Sequence, residues 1–207
     1  MTTQHYPNTR FTPENSAILL VDHQTGLLLG VKDLDQDMVR RNTATLARTA
    51  KMFNLPVILT TSAEDGPNGP LIPQITNELP DVKIIQRTGE IDAFDYSEFA
   101  DAVEATGRKN LIIAGISTDV CLTFAALSAV ARGYNVHALI DASGTWNDAA
   151  QATSIARMSA AGVTMNSTVG ITAELQRDWK NPTGEQLAGL YADLAIPFYQ
   201  TLIALRS

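Results

Sequence analysis

Short apolar runs that alternate with longer helical segments are the feature that most constrains the fold of this chain. Ser16 to Asp22 reads SAILLVD, and this apolar run predicts a strand buried on both faces. Further strands are predicted over Val57 to Thr60, Val82 to Arg87, Asn110 to Gly115, Val136 to Asp141 and Val163 to Asn166. Helices are predicted over Asp37 to Asn54, Ser97 to Thr106, Thr118 to Arg132 and Asn147 to Ala161. This alternation favours an α/β fold with three αβα layers, in which helices cover both faces of a six-stranded parallel sheet.

The C-terminal tail does not follow this alternation. Apolar residues recur at helical spacing from Gly184 to Ala195, and further apolar residues follow a break in the pattern. The residues concerned are Leu187, Leu190, Tyr191 and Leu194, then Pro197, Phe198, Leu202 and Leu205. Such a face either folds back on its own domain or docks on a neighbouring subunit. We therefore expect a main domain, residues 1–182, and a helical extension, residues 183–207, that contributes an oligomer contact.

Composition excludes several classes of partner. The net charge of -7 repels phosphate backbones, so a nucleic-acid partner is not expected. The single cysteine cannot form an intrachain disulfide, which fits a reducing compartment. Met1 to Asn15 is too polar for a signal peptide, and no apolar run reaches the ~20 residues of a membrane span. We expect a cytoplasmic protein with no membrane partner.

Cys121 is the first candidate for chemistry. It lies in the first turn of a predicted helix, just beyond the strand that ends at Gly115. Open α/β sheets bind ligands at the carboxyl ends of their strands. A helix N-terminus stabilises a thiolate and can hold an oxyanion through its free N–H groups. Taken alone, however, a lone cysteine in an apolar helix is more often a small buried hydrophobic residue.

Asp22 and Arg87 each end a predicted strand. Taken alone, Asp22 is typical of a turn or helix cap, and Arg87 is typical of a solvated strand end. A carboxylate directly after a buried apolar run must nevertheless find a partner. Together with Cys121 they place a carboxylate, a permanent cation and a thiol at the ends of three strands, and this convergence favours a functional site.

Two segments resemble the isochorismatase-like cysteine hydrolases. AILLVDHQ, from Ala17 to Gln24, resembles the opening strand of that family, and GISTDVC, from Gly115 to Cys121, resembles its nucleophile motif. The loops TTSAEDGPNGPL, RTGEIDAFD and DASGT, which begin at Thr60, Arg87 and Asp141, resemble those of the YcaC-like subgroup, whose substrate is not established. The resemblance covers roughly residues 16–174.

The resemblance implies a Rossmann-like hydrolase fold and a triad of Asp22, Arg87 and Cys121. Arg87 stands where the wider family has lysine, and because arginine stays protonated it cannot shuttle a proton. Family members that cleave vinyl ethers lack the cysteine, so its presence implies attack on an amide-like carbonyl through a thioester. The backbone N–H groups of Ser117 and Cys121 would form the oxyanion hole, and the Ile116–Ser117 peptide would be cis.

The resemblance and the loop positions also indicate the surroundings of the site. The expected walls of a pocket for a small-molecule substrate are Gln24, Ser62, Asn68, Phe94, Thr118 and Trp146. No metal or other cofactor is expected, because the chain has only three histidines, His5, His23 and His137, and none between Gln24 and Val136. The YcaC-like subgroup further implies a homo-oligomer, an octamer.

Two rival interpretations fit parts of this pattern. A dinucleotide-binding domain would show the same alternation, but no G-x-G-x-x-G follows the first strand and no P-loop motif occurs. A non-enzymatic, redox-sensing assembly protein would use Cys121 for oxidation.

For the enzyme, we expect the charge of Asp22 to oppose ionisation of the Cys121 thiol. We expect Arg87 and the helix terminus to favour it. We therefore expect the rate of alkylation of Cys121 to rise at a lower pH than the pKa of ~8.5 of a free thiol would give.

Overall fold

The computed structural model describes residues 10–196 and 198–205. His5, Pro197 and the side chain of Leu202, which entered the expectations above, lie outside the described residues.

A six-stranded parallel sheet forms the centre of the described chain, as predicted. Its strands are β1 (Ser16–Val21), β2 (Val57–Ser62), β3 (Ile84–Arg87), β4 (Asn110–Gly115), β5 (Asn135–Leu139) and β6 (Thr164–Asn166). Their order across the sheet is β3-β2-β1-β4-β5-β6, and every neighbouring pair runs parallel. β1 and β4 are therefore adjacent at the centre, where the chain order of the strands reverses.

Helices cover both faces of this sheet. They are α1 (Thr25–Gly30), α2 (Gln36–Phe53), α3 (Pro73–Thr76), α4 (Ser97–Ala105), α5 (Thr123–Ala131), α6 (Asp148–Ala160), α7 (Thr168–Gln176), α8 (Gly184–Leu190) and α9 (Tyr199–Ala204). α2, α3 and α7 contribute to the core on one face, and α4, α5 and α6 to the core on the other. The three-layer αβα fold is thereby confirmed.

Alternation along the central strand explains how one apolar run serves two cores. Ile18 and Leu20 pack into the core that contains α2, whereas Leu19 and Val21 pack into the core that contains α5. All six residues of β1 and of β4 are buried. Burial on both faces is why these strands lack the polar alternation of a half-exposed strand.

The start of the C-terminal extension folds back on its own domain. Leu187, Leu190 and Tyr191 are buried in a third cluster that includes Met52 of α2. The Tyr191 hydroxyl also lies 2.7 Å from the Thr172 hydroxyl of α7. Further along, Phe198 is 64% exposed and Leu205 is 78% exposed. The first part of the extension thus folds back on its own domain, and Phe198 and Leu205 present apolar surface to solvent.

The predicted boundaries needed correction where polar residues end a strand. Asp22 and Asp141 were assigned to strands, but β1 ends at Val21 and β5 at Leu139. Asp141 instead accepts hydrogen bonds from the backbone and hydroxyl of Thr168 at the start of α7. The helix predicted from Thr118 is a π-helical turn, Thr118–Leu122, before α5 begins. Among the described residues, no helix combines the length and the apolar character needed to cross a bilayer.

Candidate active site

Asp22, Arg87 and Cys121 meet at the carboxyl edge of the sheet. Asp22 follows β1 with a positive φ of 57°, a left-handed turn that is uncommon for a residue other than glycine. Its backbone N–H still donates to the Thr60 carbonyl of β2 at 3.0 Å, so the turn starts directly from the sheet. Arg87 is the last residue of β3, and Cys121 lies in the π-helical turn that follows β4.

Arg87 is held by three acceptors. One terminal nitrogen, Nη2, donates to both carboxylate oxygens of Asp22, at 2.6 Å for Oδ1 and at a shorter distance for Oδ2. Nε donates to the Thr60 hydroxyl at 3.0 Å, and Nη1 donates to the Glu90 carbonyl oxygen. Each of the three guanidinium nitrogens therefore donates to a fixed acceptor, which ties Arg87 to Asp22, to β2 and to the loop after β3.

Cys121 lies close enough to Asp22 for the two side chains to affect each other's ionisation. Burial raises the pKa of this thiol well above its usual range, and the neighbouring Asp22 charge raises it further. The Ser117 backbone amide and Arg87 act in the opposite direction but do not reverse the effect. Burial also raises the pKa of the Asp22 carboxyl, against the opposing charge and hydrogen bonds of Arg87.

These directions correct the expectation that the thiol would ionise more readily than a free cysteine. The helix terminus and Arg87 were expected to prevail over Asp22, but burial, which the sequence does not show, is the largest cause. The resting site thus pairs a neutral thiol with a carboxylate whose basicity is increased. That arrangement suits general-base activation of the thiol during attack rather than a preformed thiolate.

The backbone around Cys121 is tightly constrained. The Ile116–Ser117 peptide bond is cis. The Ser117 carbonyl accepts from the N–H of Leu122 at 3.1 Å, while the Thr118 N–H donates to the Gly144 carbonyl at 2.9 Å. A β-carbon at Gly115 would lie 3.1 Å from both the Leu122 nitrogen and the Val21 carbonyl oxygen. Glycine at the end of β4 therefore lets this turn pack closely on β1.

Hydrogen bonds of Thr145 also hold the turn that contains Cys121. The Thr145 hydroxyl donates to the Asp119 carboxylate at 2.7 Å, and the Thr145 backbone N–H donates to the Asp33 carboxylate at 2.7 Å. Asp33 also accepts from the Gln151 amide at 2.8 Å. Because Thr145 immediately precedes Trp146, these bonds fix the position of Trp146 relative to the π-helical turn that contains Cys121.

A cavity of about 200 Å³ opens above the three residues. It is lined by Asp22, Leu27, Ser62, Asn68, Gly89, Glu90, Ile91, Ser117, Val120, Cys121 and Trp146. Three of the six expected wall residues, Ser62, Asn68 and Trp146, contribute to it. The loop after β2, the loop after β3 and the loop after β5 thus each supply part of the wall.

The other three expected wall residues lie elsewhere. Gln24 is buried and organises the loop after β2, because its amide donates to the carbonyls of Ser62 and Gly69 and its oxygen accepts from the Ser62 N–H. Phe94 packs edge-on against Phe99 in the core beside α4. Thr118 is fully buried at the start of the π-helical turn that contains Cys121. Loop position places a residue near the cavity, but side-chain direction decides whether it faces inward.

Sequence reasoning missed five residues of the wall: Leu27, Gly89, Glu90, Ile91 and Val120. Leu27 lies on α1, a helix that was not predicted because Gly26 and Gly30 depress helix propensity. Gly89, Glu90 and Ile91 lie in the RTGEIDAFD segment, whose resemblance to the YcaC-like loop was the available signal.

The histidines that the structure describes are held apart from one another and away from this cavity. The Nε2 atom of His23 lies 2.8 Å from the Ala142 carbonyl oxygen, and burial lowers the pKa of His23 to about 4. Nδ1 of His137 lies 3.0 Å from the Asn166 amide. Within residues 10–196 and 198–205, no group of three or more His, Cys, Asp or Glu side chains is arranged to hold a metal ion.

A carboxylate, a cation and a thiol at the carboxyl edge of a three-layer α/β sheet define a hydrolase-type site of the isochorismatase fold. The Isochorismatase domain matches residues 16–169, and the chain belongs to that family. It is 46% identical to "Probable hydrolase YcaC" of Escherichia coli, over 95% of this chain and 94% of that protein. The protein is therefore an isochorismatase-family hydrolase.

Two solved structures show how far the likeness extends. The YcaC gene product of E. coli, described as an octameric hydrolase of unknown specificity, superposes with a TM-score of 0.93 over 98% of each chain. YcaC from Pseudomonas aeruginosa, described with hexane-2,5-diol and covalent acrylamide, is 44% identical and has a TM-score of 0.92, over 97% of this chain and 98% of that one. The resemblance to the YcaC-like subgroup inferred from the loops is confirmed.

Proposed function

We propose that this protein is a cysteine hydrolase that cleaves the C–N bond of a small amide-like substrate through a Cys121 thioester. The observation that carries the proposal is that Cys121 and Asp22 lie together in the wall of one cavity, with the Asp22 carboxylate held by Arg87. A nucleophile within hydrogen-bonding reach of a base, with the base oriented by a third group, is the arrangement that covalent catalysis requires. The 200 Å³ cavity above the thiol supplies room for a small substrate.

Acylation begins when Asp22 accepts the thiol proton and the sulfur attacks the carbonyl carbon. The carbonyl oxygen takes up the negative charge and is bound by the backbone N–H groups of Ser117 and Cys121, the oxyanion hole that the family resemblance implies. Asp22 then gives its proton to the nitrogen, the C–N bond breaks and the amine leaves. Cys121 is left as a thioester.

Deacylation uses the same carboxylate. Asp22 removes a proton from water, the resulting hydroxide attacks the thioester carbon, and the C–S bond breaks. The sulfur leaves as a thiolate that takes the proton back from Asp22, and the carboxylic acid is released. Throughout, Arg87 stays protonated and keeps Asp22 oriented.

The Pseudomonas relative supports this proposal, because its structure contains covalently bound acrylamide. Acrylamide is an electrophile that alkylates thiols, so its covalent attachment fits a nucleophilic cysteine. Cys121 is the only cysteine of the present chain and the counterpart we propose. The redox-sensing alternative predicts instead that Cys121 is oxidised reversibly without any turnover of amides.

A trapping experiment tests the proposal. Protein is incubated with a panel of small primary amides and analysed by intact mass, with Asp22→Asn alongside to slow deacylation. We expect an acyl adduct that maps to Cys121, and we expect release of ammonia that is lost in Cys121→Ser. Reversible peroxide modification of Cys121, without an adduct or turnover for any amide, would contradict the enzyme and favour the sensor.

We also propose a homo-oligomer, an octamer as described for the E. coli relative, with residues 183–207 contributing to the contact. Exposed Phe198 and Leu205 support this role, whereas Leu187 and Tyr191 are already covered by their own domain. Light scattering on the full chain and on a Phe198→Asp, Leu205→Asp variant tests the proposal. A wild-type monomer at micromolar concentration would contradict it.

The reaction as proposed needs no metal, and we place the protein in the cytoplasm on account of its free thiol. Turnover should be unchanged after chelator treatment, with metal content followed by elemental analysis. Loss of activity that returns with an added divalent cation would contradict the proposed chemistry, and cell fractionation tests the compartment.

A further inference from the structure

The charges around the cavity are of one sign. Asp22 and Glu90 both line it, and the nearby cation, Arg87, lies beneath them with its donors committed to Asp22, Thr60 and the Glu90 carbonyl. Among the residues that line the cavity, none is lysine, arginine or histidine. A substrate carboxylate would therefore meet the uncompensated charge of Glu90, and Arg87, which compensates the charge of Asp22, would not be free to pair with it.

The same two carboxylates are also poor partners for a cationic substrate. The Glu90 carboxylate already accepts from the backbone N–H groups of Thr88 and Gly89 and from the Thr88 hydroxyl. These hydrogen bonds lower the pKa of Glu90, so it remains charged, and they use three of its roughly four acceptor sites. Asp22 is likewise bound by Arg87.

The remaining walls are mostly apolar. Leu27, Ile91, Val120 and Trp146 approach the thiol from four different segments. The volume of about 200 Å³ lies below the roughly 300–1,000 Å³ of pockets that bind drug-sized ligands. Apolar walls in a small space favour a short hydrocarbon group next to the reacting carbonyl.

We infer that the cavity selects small, uncharged molecules with a short aliphatic or vinylic group, so that the substrates are uncharged amides of short carboxylic acids. Naming this substrate class rests on the proposed amide hydrolysis. The charge selection itself does not, because any electrophile that approaches Cys121 must enter the same cavity.

Alkylation of the single cysteine tests charge selection without turnover. Iodoacetamide and iodoacetate form the same S–C bond and release the same iodide, but only iodoacetate carries a carboxylate. Each rate constant is divided by that of the same reagent with a free cysteine peptide at the same pH and ionic strength. We expect a severalfold normalised preference for iodoacetamide, because the charge of Glu90 at the cavity wall repels the carboxylate of iodoacetate even where solvent screens it.

Glu90→Gln removes one charge from the wall and should lower this preference severalfold. Glu104→Gln is the matched control, since it removes the same charge from an exposed position of α4 outside the cavity, and it should leave the preference unchanged. A normalised ratio near one would overturn the inference. So would an equal loss of preference in both variants, because the selection would then come from net charge rather than from the cavity. A normalised rate with 2-bromoethylamine above that with iodoacetamide would also overturn it.

Turnover separates this inference from the proposed function. We expect propionamide and butyramide to be hydrolysed and succinamate, which carries a carboxylate, to be a far poorer substrate. Equal turnover of succinamate and butyramide would overturn the inference while the amidase stands. If no amide is hydrolysed but the alkylation preference and its loss in Glu90→Gln are observed, the amidase fails and the charge selection stands.

Discussion

Arg87 and Asp22 form an ion pair that is closed to solvent, with 0% of the Arg87 side chain and 1% of the Asp22 side chain exposed. A buried pair of this kind is costly to break, because the remaining charge has neither water nor a partner. The pair lies beside Cys121, so its geometry sets both the orientation of the Asp22 carboxylate, the proposed base, and the stability of this edge of the sheet.

Replacing Arg87 should separate these two roles. Arg87→Ala leaves Asp22 buried and unpaired, and we expect a loss of about 3–5 kcal/mol in the free energy of unfolding, measured in urea. Arg87→Lys keeps the charge but cannot reach Asp22, Thr60 and the Glu90 carbonyl together, so we expect it to retain measurable turnover and to lose about 1–2 kcal/mol. Arg41→Ala, in the exposed pair with Asp37, is the control and should change stability by less than about 1 kcal/mol. Equal effects of the alanine changes at positions 87 and 41 would contradict the structural role of the buried pair.

Asp22→Asn should have opposite effects on alkylation and on turnover. The negative charge of Asp22 is the second cause, after burial, of the raised pKa of Cys121. Its removal should move the pH profile of iodoacetamide labelling to lower pH, while loss of the base should reduce turnover by about 10²–10⁴. Mass spectrometry across a pH series measures the first effect, and circular dichroism checks the fold. A profile that stays in place would show that Asp22 does not act on the thiol.

His23 should make stability depend on pH in the acid range. Burial lowers the pKa of His23 from its usual 6.5 to about 4, so between these values the unfolded chain binds a proton that the folded chain does not. Stability is therefore complete above about pH 6.5 and falls as the pH drops toward 4, by about 3 kcal/mol from this residue. In His23→Gln this part of the dependence should disappear from urea unfolding curves, although carboxylates and His137 still contribute. An identical slope in the two proteins would rule out a buried neutral His23.

The sheet could be predicted from the sequence because a strand that is buried on both faces appears there as a continuous apolar run. β4 begins and ends at the predicted residues, and its alignment with β1 follows from the two apolar runs. α7 was missed because Thr168–Gln176 follows the last strand, where no further alternation demanded a helix. Such short helices depend on tertiary contacts, here Ile171 and Leu175 in the core, rather than on their own propensity.

The sequence predicted which strand ends form the candidate site, but it did not predict how burial and charge there affect the pKa of Cys121. Asp22, Arg87 and Cys121 follow strands that the sequence shows, and parallel strands bring their ends to one edge. The raised pKa of Cys121 arises mainly from burial, which depends on how the surrounding loops close. In the same loops, Phe94 packs into the core and Glu90 lines the cavity. No local sequence pattern predicts which of these residues faces the cavity.

Trp146 should set the length of the substrate's acyl group. It lines the cavity, is 39% exposed, and lies against Gly30 at the end of α1. Trp146→Ala enlarges the space above Cys121, so the preferred amide should become longer. Each extra methylene that fits should raise kcat/KM by about fourfold, corresponding to about 0.8 kcal/mol. Initial rates of ammonia release across a series from acetamide to hexanamide measure the shift.

Gly30→Ala tests the same wall without removing the indole. A β-carbon at Gly30 would lie 2.3 Å from Cζ3 of Trp146, a separation that forces the ring to move. Alanine is otherwise favoured over glycine in a helix, so this variant should stay folded while its chain-length preference changes. Trp179→Ala is the matched control, because Trp179 contacts Tyr191 in the C-terminal region and is absent from the cavity wall. A chain-length preference that is unchanged in Trp146→Ala, or that shifts equally in Trp179→Ala, would show that Trp146 does not limit the substrate.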